Sequence, residues 1–525
     1  MNHPPHESVD YSAASVTASC YAKLDHLWQP LRQAIYERRI PGAVAAVSCN
    51  GQTFHYAGGW AVDMAELRIA ATQRTLYDCA SLTKVAVTLP LILILVQQGK
   101  IKLDDPVANY IPELRHPPHR FITIRHLLTH TSGLPAEIDC HSQHYTMMEA
   151  IQQIGKLELA YSPGSARIYS DPGFILLGWL FQQVSGMTLM EGAQQLLWQP
   201  LHMNESLFCP PPTLRSSIAA TEYDTASQSW LHGIVHDENA RQLGGIAGHA
   251  GLFATARDLL LYGQSWLAAV SEDVPQQHCA WLEHAALLPT NPPVSSVHGQ
   301  YDLSTKPASN PSADSPNRIQ TYPSQTQQSP AQQSAAASME LLHQQPPLHP
   351  PDDASQLTAS HSHSHSHSHS HSHSHSQLAA TEATIMNQHA DHSRFVNNDQ
   401  PTEPQSIPSI PKPTSTPPIQ LTQQSTIDLL RSAIASQTPP LPGVHRGLGW
   451  VLHGDEADVS GGLLSPAAFG HTGFTGTSLY IDPPQQLVIV LLTNRVHYGR
   501  QQSIQQVRRD FHSAVATYAN ATRFR

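Results

Sequence analysis

Three short stretches carry side chains of the type and spacing that acyl-group chemistry needs. The first is Ser81-Leu-Thr-Lys84. If Ser81 opens a helix, its hydroxyl and the lysine amine three residues on share one face. A lysine in a partly desolvated site can act as a base toward a serine hydroxyl. A helix start also offers unpaired N–H groups and the positive end of the dipole, which favour developing negative charge. Taken alone, the tetrapeptide reads as a helix cap with a solvated lysine. The second stretch is Tyr169-Ser-Asp171, between a Pro-Gly turn and an apolar helical run. A tyrosine can take and give a proton when a neighbouring cation compensates its charge, although a hydrogen-bonded core tyrosine is the commoner fate. The third is His471-Thr472-Gly473 at the start of a strand. Gly473 would let a substrate backbone approach that strand. The N–H of Phe474 could join that of Ser81 as an oxyanion hole. The plainer alternative is a glycine-containing strand entry with a surface histidine.

These residues need elements to hold them. Cys20 to Arg39 has helical spacing, with Leu24, Leu27, Trp28, Leu31 and Ile35 on one face. Asn50-Gly51 marks a hairpin between two strands. The stretch that begins at Ser81 continues as an apolar helix, which Gly99 suits as the residue after its end. Residues 121–258 read as helices and loops. "GLGWVLHG", "GHTGFTGTSLYIDP" and "QLVIVLLTNRV" then read as strands, and "SIQQVRRDFHSAVATYA" as a terminal helix. The economical arrangement joins the two ends of the chain into one sheet flanked by helices. The helical middle becomes a second lobe, with a site between the two. The class is α/β in the α+β sense.

Composition narrows the function. Charged residues are 13% of 525 and the formal net charge is −11. No basic run interleaved with aromatics occurs, which argues against a nucleic-acid partner. The longest apolar run, Val85 to Val96, contains Thr88 and Pro90. It falls short of the roughly 20 residues a membrane span needs. The first 20 residues lack the basic and apolar regions of a signal peptide. The six cysteines are scattered with no zinc-ligand spacing, so six free thiols and a cytoplasmic location are expected.

Residues 276–424 differ in kind. They are rich in Gln, Ser, Pro and His, with strict Ser-His alternation from Ser360 to Ser376. Such a segment cannot bury enough surface to offset its ordering entropy, so a disordered insertion is expected. A hydrolase domain would then comprise 11–275 and 425–525, after a frayed start at 1–10. The imidazoles of the tract can hold adventitious Ni²⁺, Zn²⁺ or Cu²⁺. Retention of the untagged chain on a nickel column is expected, and failure to bind would remove the idea.

Together, the three motifs resemble the S-x-x-K, S-D-N and K-T-G set of class A β-lactamases and penicillin-binding proteins. Because the second element begins with Tyr169, the chain more closely resembles the class C β-lactamase and low-molecular-weight penicillin-binding protein family. "YDCASLTKV", "LDDPVANYIPEL", "ITIRHLLTHTSGLP", "YSPGSARIYSD", "LGGIAGHAGLFATARDL" and "GHTGFTGTSLYIDP" also look like recurring segments of that family. They span about Arg39 to Arg495 outside the insertion. The resemblance implies a β-lactamase/transpeptidase-like fold, with an antiparallel sheet flanked by helices. It implies a serine hydrolase that works through an acyl-enzyme on a small molecule or peptide, without a cofactor.

By the same resemblance, Ser81 is the nucleophile, Lys84 takes or steers its proton, and Tyr169 shuttles protons. The N–H groups of Ser81 and Phe474 hold the oxyanion. Asp171, His471, Thr472 and Gly473 contact substrate. Two departures stand out. Class C enzymes usually have Asn at Asp171 and Lys at His471, and both changes weaken the case for tight β-lactam binding. D-alanyl peptides are the leading substrate class. Carboxylesterase or weak β-lactamase activity, and a non-catalytic penicillin-binding sensor, are the alternatives. "VHDENARQLGGIAGHAGLF" resembles a segment of the subgroup near penicillin-binding protein 4B and muropeptide-recycling hydrolases. Its His236, Asp237, Glu238 and His249 imitate a metal cluster, but a hydrogen-bonded loop accounts for them, so no metal is expected.

Overall fold

The computed structural model describes residues 7–10, 18–271, 281, 423–437 and 443–522. They fall in the unit formed by Met1–Val297 and Pro413–Arg525; the second unit, His298–Lys412, lies outside the described residues, and the Ser-His tract with it. The strands of the main sheet are β1 (Ser8–Asp10), β2 (Gly42–Cys49), β3 (Gln52–Asp63), β4 (Arg68–Ala70), β5 (Val451–Leu452), β6 (Phe469–Thr472), β7 (Ser478–Asp482) and β8 (Leu487–Thr493). All neighbours are antiparallel, in the order β1-β3-β2-β8-β7-β6-β5, with β4 added to β3. The longer helices are α1 (Ala18–Tyr36), α2 (Leu89–Gln97), α3 (Asp171–Ser185), α4 (Ala256–Val270), α5 (Gln423–Ala433) and α6 (Gln505–Thr522).

The two ends of the chain meet in the sheet as expected. β2 pairs with β8 in the register Ala46↔Val490. Both strands are buried along their whole length. They therefore read as near-continuous apolar runs rather than as a polar-apolar alternation. Successive side chains point to opposite faces. Val44 and Ala46 join a core with Val488 and Val490 and with the apolar faces of α2, α3 and α4. Ala45 and Val47 join the other core, with α1 and α6. There Trp28 stacks on Tyr56 and Phe511 at 5.4 and 6.0 Å between ring centroids.

Three limits read from the sequence shift. Ser8–Asp10, inside the expected frayed start, pair with Ala57, Tyr56 and His55 at the sheet edge. Trp281, inside the expected insertion, is fully buried 6.2 Å from Trp266. α5 likewise begins at Gln423, before the expected end of the insertion. No single helix among the described residues is long and apolar enough to cross a membrane.

Candidate active site

Ser81 stands where a short strand turns into a helix. Tyr77–Asp78 pairs with Phe253–Ala254. The buried carboxylate of Asp78 then accepts hydrogen bonds from the N–H groups of Ala80 and His236, at 2.8 and 2.7 Å. Burial raises its pKa, against the pull of those two donors. Ala80 is bent to φ 46°, a conformation that non-glycine residues seldom adopt. The Thr83 hydroxyl donates to the Ala80 carbonyl at 2.7 Å and closes the turn. Lys84–Thr88 winds as a π-turn before α2 begins, a feature common at functional sites.

Lys84 is fully buried. Its Nζ donates to Ser81 Oγ at 3.0 Å and to the His249 carbonyl at 3.2 Å. It also pairs with Asp171 Oδ1 at 2.7 Å and lies 4.9 Å from the centre of the Tyr169 ring. Burial pushes the ammonium toward deprotonation. The charge of Asp171 and the nearby Tyr169 more than offset that, and Lys84 is held above the ordinary lysine range. Lys84 is a cation at neutral pH, not a free amine waiting for a proton.

Tyr169 lies on the loop that leads into α3. Ser170 caps that helix by accepting from the Gly173 N–H at 3.4 Å. Its own N–H donates to His130 Nδ1 at 3.0 Å. The His130 ring lies against Tyr169 with centroids 4.4 Å apart. Asp171 is the first residue of α3, where a negative charge suits the helix dipole. Its carboxylate faces Lys84, because the start of α3 packs directly against the turn after Ser81.

His471 and Thr472 end β6. The His471 ring is 6.1 Å from that of Tyr169, and its Nδ1–H donates to the Thr472 carbonyl at 2.8 Å. Burial, then the positive charges of Arg446 and Lys84, holds His471 well below the ordinary histidine range. It is neutral near pH 7. Gly473 also has a packing reason. A Cβ there would stand 2.2 Å from Thr477 Oγ1 and 2.4 Å from the Cys79 carbonyl oxygen. The glycine lets the strand end touch the Ser81 turn itself. Thr475 and Thr477 donate to the carbonyls of Asp78 and Cys79 at 2.7 and 3.1 Å and fasten the two segments together. Among the described residues, neither the Ser81 N–H nor the Phe474 N–H donates to an acceptor. Two clefts meet at Ser81, Tyr169 and Phe474, of about 570 and 230 Å³.

Residues 22–290 and 330–511 match the family described as Beta-lactamase. The chain belongs to the beta-lactamase family of serine hydrolases. A solved class C beta-lactamase superposes with a TM-score of 0.55 at 16% identity, covering 95% of this chain and 98% of that one. A tyrosine-to-phenylalanine mutant of a class C beta-lactamase gives the same score and identity over 99% of its length. These likenesses show the fold, which is the β-lactamase/transpeptidase-like arrangement read from the motifs. A protein of Escherichia coli (strain K12) is 32% identical over 231 residues, 38% of this chain and 53% of that protein. One from Salmonella typhimurium is 31% identical over 230 residues, 38% of this chain and 52% of that protein. Both carry the provisional name D-alanyl-D-alanine carboxypeptidase. The chain spans about half the length of the curated relatives it matches.

In this family member the loop 236–249 is a hydrogen-bonded border to the smaller cleft. His236 Nε2 meets Glu222 at 2.8 Å and Glu238 pairs with Arg500. Asp237 caps the short helix Glu238–Gln242 and meets His249 Nε2 at 2.9 Å. Asp171, Asp237 and His249 each bring one potential ligand atom within 4.8 Å of the others. The Lys84 ammonium is the cation that Asp171 meets there. Gly248 lets this loop reach α3, because a Cβ would fall 2.0 Å from the Phe174 carbonyl. Cys49, Cys79, Cys140 and Cys209 are free thiols.

The motifs did not disclose Asp78, His130, Arg167 or Arg446. Asp78, His130 and Arg167 meet partners far away in the sequence. The nearest local signal was Arg167, two residues before Tyr169 in "SARIYSD".

Proposed function

We propose that the chain is a serine hydrolase acting through an acyl-enzyme on D-alanyl, cell-wall-type peptides or related amides. The contact of Lys84 Nζ with Ser81 Oγ, at the junction of two clefts shared with Tyr169, carries the reading. Ser81 Oγ attacks the substrate carbonyl and passes its proton to Tyr169, which reacts as the phenolate. Lys84, already a cation, compensates the negative charge that moves through this pair. The N–H groups of Ser81 and Phe474 receive the oxyanion. Tyr169 then protonates the leaving amine as the acyl bond to Ser81 forms. A water then attacks the acyl carbonyl and gives its proton to the Tyr169 phenolate, and Tyr169 returns that proton to Ser81 Oγ as the ester bond breaks, which releases the acid and restores Ser81.

The carboxypeptidase name of the Escherichia coli and Salmonella relatives supports the substrate class. A carboxylesterase on the same scaffold is the second reading. The neutral His471 favours it, since a cationic strand residue for a β-lactam carboxylate is missing. The retention of Ser81, Lys84 and Tyr169 in contact range argues against a non-catalytic sensor.

A panel of N-acyl-D-alanyl-D-alanine, its L,L isomer, a p-nitrophenyl ester and a penicillin separates these readings. Release of D-alanine from the first, with the L,L isomer resistant, is expected. Turnover of the ester alone would replace the peptidase reading with the esterase one.

A further inference from the structure

We propose that Asp78 is a positioning residue for acyl transfer, and that its one carboxylate sets both oxyanion donors. It acts on the Ser81 N–H through Ala80 and on the Phe474 N–H through His236. The inference rests on the acyl-serine reading, which gives those two N–H groups the oxyanion. Asp78 lies three residues before Ser81 and is buried. Each of its oxygens meets one main-chain N–H. Oδ1 accepts from Ala80 at 2.8 Å and Oδ2 from His236 at 2.7 Å. Ala80, Ser81, His236 and Phe474 all line the smaller cleft.

An oxyanion donor works only when its N–H points at the place where charge develops, so the peptide plane is what must be held. The plane that carries the Ser81 N–H starts at Ala80. That residue stands at φ 46°, where a Cβ is crowded. The bond from its own N–H to Asp78 Oδ1 is a side-chain turn of the kind aspartate forms two residues ahead, and it holds this conformation. The Thr83 hydroxyl, donating to the Ala80 carbonyl at 2.7 Å, holds the far side of the plane.

On the other branch, His236 hangs by its N–H from Oδ2, and its ring stacks on that of Phe474. The centroids are 5.7 Å apart and the planes 25° apart. The Arg495 guanidinium lies 4.5 Å from the centre of the same ring, and its Nε donates to the Phe474 carbonyl at 2.8 Å. Phe474 is half-exposed, and these contacts stand in for core packing. Thr475, the next residue, donates to the Asp78 main-chain carbonyl at 2.7 Å. Asp78 therefore reaches Phe474 through two of its atoms, Oδ2 and the carbonyl oxygen.

The chemistry selects aspartate. Two N–H donors that approach from different segments need two acceptor atoms. A carboxylate accepts on both oxygens, and an amide on one only. Asparagine would turn its NH2 toward one of the two backbone N–H groups and release that segment. A neutral residue would suit a site that must hold developing negative charge, yet no neutral side chain of this size presents two acceptor atoms.

The test compares the full-length parent with Asp78→Asn, His236→Ala and the double variant. The substrates are an ester and the thionoester that differs from it only in C=S for C=O. Sulfur accepts hydrogen bonds weakly, so the ratio of the two acylation rates reads the oxyanion donors. Asp78→Asn should lower the single-turnover acylation rate by the ester about 100-fold, with affinity for the ester unchanged. It should cut the ester-to-thionoester ratio about 10-fold or more. That ratio does not depend on the folded fraction. A merely structural role would lower the melting temperature and leave the ratio at the parent's value. His236→Ala keeps the N–H and removes the ring, so the loss from Asp78→Asn should be smaller by about 3-fold or more in that background. Thr475→Val removes the bond to the Asp78 carbonyl and should lower the ratio by itself, which keeps the proposal testable if Asp78→Asn does not fold. A ratio equal to the parent's in Asp78→Asn, or in Thr475→Val where that is the variant that folds, would overturn the positioning role. Losses that simply multiply in the double variant would overturn the route through His236. Acylation of the parent at Ser81 with an unmoved ratio removes this inference alone, whereas a parent that does not acylate at Ser81 refutes the hydrolase reading and this inference with it.

Discussion

Replacing Gly473 with alanine tests how closely the strand end must approach the Ser81 turn. The new Cβ would lie 2.4 Å from the Cys79 carbonyl oxygen and 2.2 Å from Thr477 Oγ1. Carbon–oxygen contacts settle at about 3.3 Å, so one side must retreat by about 1 Å. The Thr477 hydroxyl could rotate away, at the expense of its bond to Cys79. The Cys79 carbonyl is held in place, because it accepts from the Leu82 N–H at 3.1 Å. The displacement therefore reaches Ser81 or Phe474, which carry the two free N–H groups. A misplacement of about 1 Å costs on the order of 10²-fold in rate, and loss of one oxyanion donor about 10²–10³-fold. Overpacking adds about 1–3 kcal/mol of instability.

The expected result for Gly473→Ala is a folded protein that melts a few degrees lower. Its kcat/KM toward a p-nitrophenyl ester should fall about 100-fold. Gly462→Ala is the control. Gly462 has φ 78° with nothing within 4 Å of a new Cβ, so it is strained without touching the site. If Gly473→Ala loses no more rate than Gly462→Ala, the placement argument for the oxyanion donors fails.

Asp171→Asn removes the carboxylate that opposes the effect of burial on Lys84. The lysine pKa should fall, and a pH–rate profile should show its alkaline limb at lower pH by about one unit or more. An unchanged profile would mean that Asp171 does not set the charge of Lys84. In the parent, Lys84 has a folded-state pKa above its unfolded value, so its contribution to stability is complete below pH 10.5 and is lost only above that. The buried histidines give the opposite sign. Burial holds His130 and His471 well below 6.5 and His512 at about 4. Their contribution is present above pH 6.5 and is lost as the pH falls through the folded values. For His512 alone the difference of about 2.5 pH units corresponds to roughly 3 kcal/mol. Thermal melts should fall steadily from pH 6.5 to 4, and a flat profile would contradict the assignment of neutral buried imidazoles.

Local patterns were legible in the sequence where the physics is local. The joining of the chain ends showed in the apolar runs of β2 and β8, which are buried on both faces. The pairing of Ser81 with Lys84 follows from a three-residue spacing on a helical turn. The hairpin at Asn50-Gly51 has both residues at positive φ, as its type requires. β1 was not legible, because three residues at a sheet edge are held by backbone pairing and leave no side-chain pattern. The ion pair of Asp171 with Lys84 was not legible, because nothing in the sequence shows the packing of α3 against a turn 87 residues away. Trp281 was hidden in a polar segment, and only its contact with Trp266 places it in the core. Arg446 and Arg167 look like ordinary surface arginines until the fold buries them together beside Ser81.

The central claim is that Ser81 carries the acyl group. Intact-protein mass spectrometry after incubation with a fluorophosphonate and with N-acyl-D-alanyl-D-alanine, followed by peptide mapping, reads it directly. The account predicts a single adduct on Ser81, absent in Ser81→Ala and formed much more slowly in Lys84→Ala and Tyr169→Phe. An adduct on another residue, or equal labelling of Ser81→Ala, would contradict it.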